Sequence, residues 1–77
     1  MSDDASSVLE LLLDNHPALL SVDEVIRAMT TGSDEFGPRD RIESALRDLI
    51  AFGLAHRLGS FVFASRAAVW ARALDER

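Results

Sequence analysis

Arg39, Arg41 and Arg47, with Ser44 among them, lie along one stretch of this chain, and Arg57 and Ser60 along a shorter one. Arginine offers a planar fork of donors that matches phosphate and the edges of bases. Serine hydroxyls reach phosphate oxygens. Residues of these types at this spacing can recognise a polyanion; they do not make or break bonds. Catalysis has no other foothold. No nucleophile–base–acid trio, phosphate-cradling glycine loop or paired carboxylate in an apolar setting can be picked out, and Asp34-Glu35 read as a solvated loop pair. With no cysteine, and with His16 and His56 far apart, there is no metal motif. The expectation is a protein that is not an enzyme and carries no cofactor or metal.

The charge balance complicates a polyanion partner. Thirteen acids outweigh eight bases, for a net charge of −5. Residues 1–38 hold one base and eight acids, a balance of −7, whereas residues 39–77 hold seven bases and five acids, a balance of +2. The chain is electrically two-sided along its sequence. Every base is arginine; codon bias accounts for that choice more readily than a preference for phosphate does.

The elements that must carry these residues follow from periodicity and caps. At 77 residues the chain is one domain, 1–77, with a core so small that most apolar residues are needed inside. Ser7 and Glu10 fit a capping box, and Val8, Leu11 and Leu12 repeat at helical spacing, so a first helix is expected over about 7–15, after a flexible lead of residues 1–6. Ala18-Leu19-Leu20 reads as a stub of extended chain. Ser21 and Glu24 form a second capping box; Val22, Val25, Ile26 and Met29 continue a helix over about 22–30. A polar loop, 31–37, leads to Pro38 at a helix start. Ile42, Ala45, Leu46, Leu49 and Ile50 then mark a helix over about 38–52, with Gly53 as its left-handed C-terminal residue. Leu54–Leu58 and Phe61–Ala64 read as two strands joined by a Gly59-Ser60 type II′ turn. In that register Leu58 faces Phe61 and His56 faces Phe63, with Leu54 on the same side and with Ala55, Arg57 and Val62 on the other. Ser65 caps a last helix over about 66–75, whose apolar stripe is Val69, Trp70, Ala73 and Leu74. The fold class is α+β, mainly α.

Three short helices, the third ending in Gly-Leu and running into a two-stranded wing, resemble the winged helix-turn-helix of small bacterial transcriptional regulators. The stretch "VLELLLDNHPALLSVDEVIRAM" followed by "RIESALRDLIAFGLAHRLGSFVFAS" carries the likeness, which spans about Val8 to Leu74. The ferric-uptake-regulator type is one comparison, but its His/Cys ligands, separate dimerisation domain and Thr-Val-Tyr-Arg signature are missing here, so metal sensing is not implied. The resemblance implies double-stranded DNA as partner, with the third helix in the major groove and the wing on the backbone or minor groove. Arg39, Arg41, Ser44 and Arg47 would then contact DNA from the helix, and Arg57 and Ser60 from the wing, with His56 as a further candidate.

The residues themselves leave a second reading open. The outward side of the third helix shows Arg47 with Asp40, Glu43 and Asp48, a balance of −2. Duplex DNA rewards neutralised phosphates, and that side offers few cations. A protein-binding module that ignores DNA fits the acidity equally. Arg47 has a plainer role as the i,i+4 partner of Glu43, Arg57 as a solvated strand residue, and His56 as a half-buried structural histidine. Leu9 and Leu13 on the first helix and Trp70 and Leu74 on the last either pack together inside one chain or form a homodimer seam. No apolar run reaches membrane-spanning length and the acidic start lacks a signal-peptide pattern, so a cytoplasmic site is expected.

Overall fold

In the computed structural model, which describes residues 2–29 and 37–76, the elements run α1 (Asp3–Asn15), β1 (Leu20–Ser21), α2 (Val22–Met29), α3 (Gly37–Ala51), β2 (Ala55–Leu58), β3 (Phe61–Ala64) and α4 (Arg66–Asp75). The class is α+β and mostly helical, as expected. The polar loop lies outside the described residues except for Gly37, and so do Asp34 and Glu35.

α1 begins four residues earlier than the Ser7 capping box implied. Ser2 is the cap instead, its hydroxyl accepting from the Ala5 amide at 3.1 Å. Asp3 and Asp4 fill the first turn, where carboxylates meet the positive end of the helix dipole. The expected lead is therefore helix from Asp3 onward, and Ser7 is an exposed helical residue. The second capping box forms as read. The Glu24 amide donates to Ser21 Oγ at 3.0 Å and the Ser21 amide donates to Glu24 Oε1 at 3.1 Å.

Only Leu20 of the expected stub is strand, together with Ser21, so the expected two-stranded wing is part of a three-stranded antiparallel sheet in the order β1-β3-β2. β1 pairs Leu20 with Val62 and Ser21 with Phe61. The hairpin register is the expected one: Leu58 opposite Phe61 and His56 opposite Phe63. Gly59 has φ +63° while Ser60 stays at negative φ, which fits the type II′ turn.

The face that turns inward is the one carrying Ala55 and Val62. Ala55, Val62 and Ala64 are buried, while His56, Leu58 and Phe61 are exposed and Phe63 is half-buried. α1 lies against β3 and α3 against β2. Small side chains on that face let the helices approach closely, and the pleat then sends the large ones outward.

The core joins Ala5, Val8 and Leu12 of α1, Val22 and Val25 of α2, and Ile42, Ala45, Leu46 and Leu49 of α3 to that inner sheet face. Ile50 falls outside it, at the edge of exposure. α3 ends in a Schellman motif. Gly53, at φ +76°, donates from its amide to Ile50 O at 3.0 Å, and Leu54 donates to Leu49 O at 2.8 Å. Ser65 locks this end to α4. Its amide donates to Leu54 O at 2.9 Å, its hydroxyl donates to Gly53 O at 2.7 Å and also accepts from the Ala68 amide at 3.2 Å.

α4 turns a different side inward from the one expected. Ala68 is buried, Val69 and Arg72 are half-buried, and Trp70, Ala73 and Leu74 face solvent. No helix is long and apolar enough to cross a membrane among the described residues.

Candidate interaction surfaces

α3 presents Arg39, Asp40, Arg41, Ser44, Arg47 and Asp48 to solvent because the Ile42/Ala45/Leu46/Leu49 stripe holds the opposite side in the core. Two of the three arginines already have acidic partners. Arg39 Nη2 is 3.4 Å from Asp23 Oδ1 at the start of α2, and its Nε is 3.7 Å from Glu43 Oε1. Arg41 forms a bidentate pair with Asp4 of α1: Nε to Oδ2 at 3.1 Å and Nη2 to Oδ1 at 2.9 Å. The start of α3 is thus laced to α1 and α2 by charges that sequence reasoning assigned to a partner.

Arg47 has no ion pair among the described residues, and the expected i,i+4 link to Glu43 is replaced by the Arg39–Glu43 contact. Arg47 and Arg57 border one shallow concavity with Glu43, Leu46 and Ile50, so α3 and the hairpin do bring two cations together. Arg57 folds back on the turn, its Nε donating to Gly59 O at 2.8 Å. The hairpin tip is tied down rather than free-standing, since the Val22 amide donates to Ser60 O at 2.8 Å. Ser44 and Ser60 are both exposed. The six proposed DNA contacts therefore split. Arg39 and Arg41 serve as internal ties at the start of α3, while Ser44, Arg47, Arg57 and Ser60 stay open to solvent.

The four seam candidates separate as well. Leu9 and Leu13 are half-buried against the core. They border a depression with Arg72 and Glu76. Arg72 draws α4 to α1 through Asp14, with Nη2 to Oδ1 at 2.7 Å, and also bonds Glu76 Oε1 at 3.0 Å. The hydrogen bonds to Glu76 and then to Asp14 raise the Arg72 guanidinium above its ordinary value. Trp70 and Leu74 each lie about 160° around the helix from Arg72, on the side away from α1. Intramolecular packing accounts for Leu9 and Leu13, and Trp70 and Leu74 are left uncovered.

A second surface went unread in the sequence. Leu58 and Phe61 face each other across the hairpin on the outer side of the sheet, 66% and 42% exposed, with Phe63 and His56 as the next pair. His56 is exposed rather than half-buried, and its ring stands against Phe63 with centroids 5.6 Å apart at a 53° tilt. Trp70 is 63% and Phe52 68% exposed. The signal was present in the strand alternation, which separates Leu58, Phe61 and Phe63 from Ala55, Val62 and Ala64; alternation alone does not say which set goes inside. Between this sheet face and α4 runs a groove bordered by His16, His56, Phe63, Ala64, Arg66 and Val69.

No group of three or more His, Cys, Asp or Glu side chains is placed to hold a metal ion among the described residues. Compared with protein-family models, curated proteins and solved structures, the chain matches none of them.

Proposed function

We propose that this domain is a winged-helix-type docking module for another protein, acting without catalysis or cofactor. The element order and the short hairpin that follows α3 support the frame. One observation carries the docking reading: the outer sheet face sets Leu58 opposite Phe61, and both are left exposed by the described residues. Folding stability gains from burying such side chains, and a contiguous apolar patch at a surface is the usual mark of an interaction site. The α3 side supports the same choice, because Arg39 and Arg41 are already neutralised within the chain.

Double-stranded DNA remains a second reading on one observation, the shared position of Arg47 and Arg57 beside the same concavity. Two experiments separate the readings. Fluorescence anisotropy with random duplex at about 50 mM salt, where phosphate contacts are strong, is expected to show no binding. Cross-linking in cell extract is expected to capture a protein with the wild-type chain and not with Leu58→Lys/Phe61→Glu, a pair that keeps cross-strand complementarity while removing the apolar surface. Duplex binding that weakens in Arg47→Ala/Arg57→Ala overturns the docking reading in favour of DNA.

A further inference from the structure

We infer that the groove between the outer hairpin face and the first turns of α4 receives an acidic segment of the partner protein, anchored by an apolar side chain. The inference rests on the docking reading and names the chemistry of the partner. Three separate parts of the chain build the groove: His16 just after α1, His56 and Phe63 on the paired strands, and Arg66 and Val69 on α4. Its apolar part is Phe63, Ala64 and Val69. Its cation is Arg66, its other polar side chains are His16 and His56, and no carboxylate among the described residues borders it. That is a departure for a chain in which acids outnumber lysine and arginine by thirteen to eight.

Arg66 also differs from its counterparts. Arg39, Arg41 and Arg72 each hold an acidic partner, whereas Arg66 has none among the described residues and stands exposed at the groove. A carboxylate offered from outside finds a guanidinium fork able to take it in two hydrogen bonds. An apolar side chain of the same segment finds Phe63 and Val69. The tilted contact with Phe63 seats the His56 ring beside that apolar part, so anchor and charge are recognised together.

Trp70, the sole tryptophan, sits one turn after Arg66 and reports occupancy by its fluorescence. The test titrates the full chain with three synthetic helical peptides: Glu-rich with a leucine stripe, Lys-rich with the same stripe, and Glu-rich with serine in place of leucine. The Glu/Leu peptide is expected to bind. Arg66→Glu is expected to weaken it by about tenfold or more, and this substitution puts an acid at a helix start, where it is well tolerated. The other two peptides are expected not to bind. Equal binding of the Lys/Leu peptide, an Arg66→Glu variant that binds like wild type, or no response to the Glu/Leu peptide at about 1 mM overturns the acidic partner. If apolar peptides of either charge bind and only Leu58→Lys/Phe61→Glu prevents it, the docking reading stands and this inference falls. Sedimentation that grows with concentration and is abolished by Arg66→Glu also overturns it, because the occupant is then the acidic half of a second copy.

Discussion

The solvent side of α3 and the outer face of the hairpin differ in what their side chains have left to offer. On α3, Arg39 and Arg41 reach across to Asp23 and Asp4 and bind helices of the same molecule together. On the hairpin, Leu58 and Phe61 stand opposite each other and exposed, and Trp70 on α4 projects to solvent. The first surface is polar, and the arginines at its start are internally satisfied. The second is apolar and uncovered. A charge is available to a partner only when nothing nearer has neutralised it, so counting arginines along a helix overstates its readiness for DNA.

The largest expected effect is one that removes both surfaces together. Leu49 is fully buried and lies where α3 passes into the Schellman turn that leads to β2. Leu49→Ala is expected to cost about 2–5 kcal/mol through lost burial and a residual cavity, a large share of the margin of so small a domain. Urea denaturation followed by circular dichroism measures it. A cost below about 1 kcal/mol would mean that α3 is not the common support of the two faces.

Ser65→Ala comes next and acts on the apolar surface alone. The hydroxyl caps α4 and also bonds Gly53 O, so its removal leaves the Gly53 carbonyl and the Ala68 amide without that partner. Loss of about 1–2 kcal/mol is expected in the urea midpoint. Hydrogen exchange is expected to quicken at Ala68 while amides in the middle of α3 keep their order of protection. Equal acceleration along α3 would show that the two faces do not separate.

How far the sequence reveals this division depends on the element. The hairpin register and its Gly59-Ser60 turn were legible because a turn of two residues fixes which residues pair. The inward face was not, because both faces of the hairpin are apolar and alternation cannot rank them. Phe61 and Leu58 face outward, and the nearness of α1 and α3 admits Ala55, Val62 and Ala64 instead. Caps show a similar limit. Ser21 closes the strand β1, whose extended backbone readies it to cap, whereas Ser7 follows Asp3, Asp4, Ala5 and Ser6, which continue a helix already started by Ser2. The arginines of the candidate site were visible as residues, but Asp4 and Asp23 lie far from them in sequence, and only the packing of α1 and α2 against α3 brings them together.

Leu58→Lys/Phe61→Glu is expected to change stability by less than about 1 kcal/mol, since exposed positions away from caps and cavities tolerate substitution. Its effect belongs to binding, where the captured partner is lost. A fall in stability larger than that would mean the outer face supports the fold rather than a partner.

The smallest expected effect is on the polar side. Arg41 is exposed, and its bidentate pair with Asp4, though well formed, works in high dielectric. Arg41→Ala is expected to lower stability by about 0–1 kcal/mol at low salt, and the difference should fade at about 1 M salt, where the screening length drops to about 3 Å. Asp4→Ala should do the same, and the double variant should match either single one, because each single change already abolishes the pair. Duplex affinity should not respond to any of the three. A duplex that binds the wild-type chain and loses affinity in Arg41→Ala while stability stays level would reassign this guanidinium from an internal tie to a phosphate contact. The contrast between the satisfied and the open surface would then fail at the residue where it is drawn most sharply.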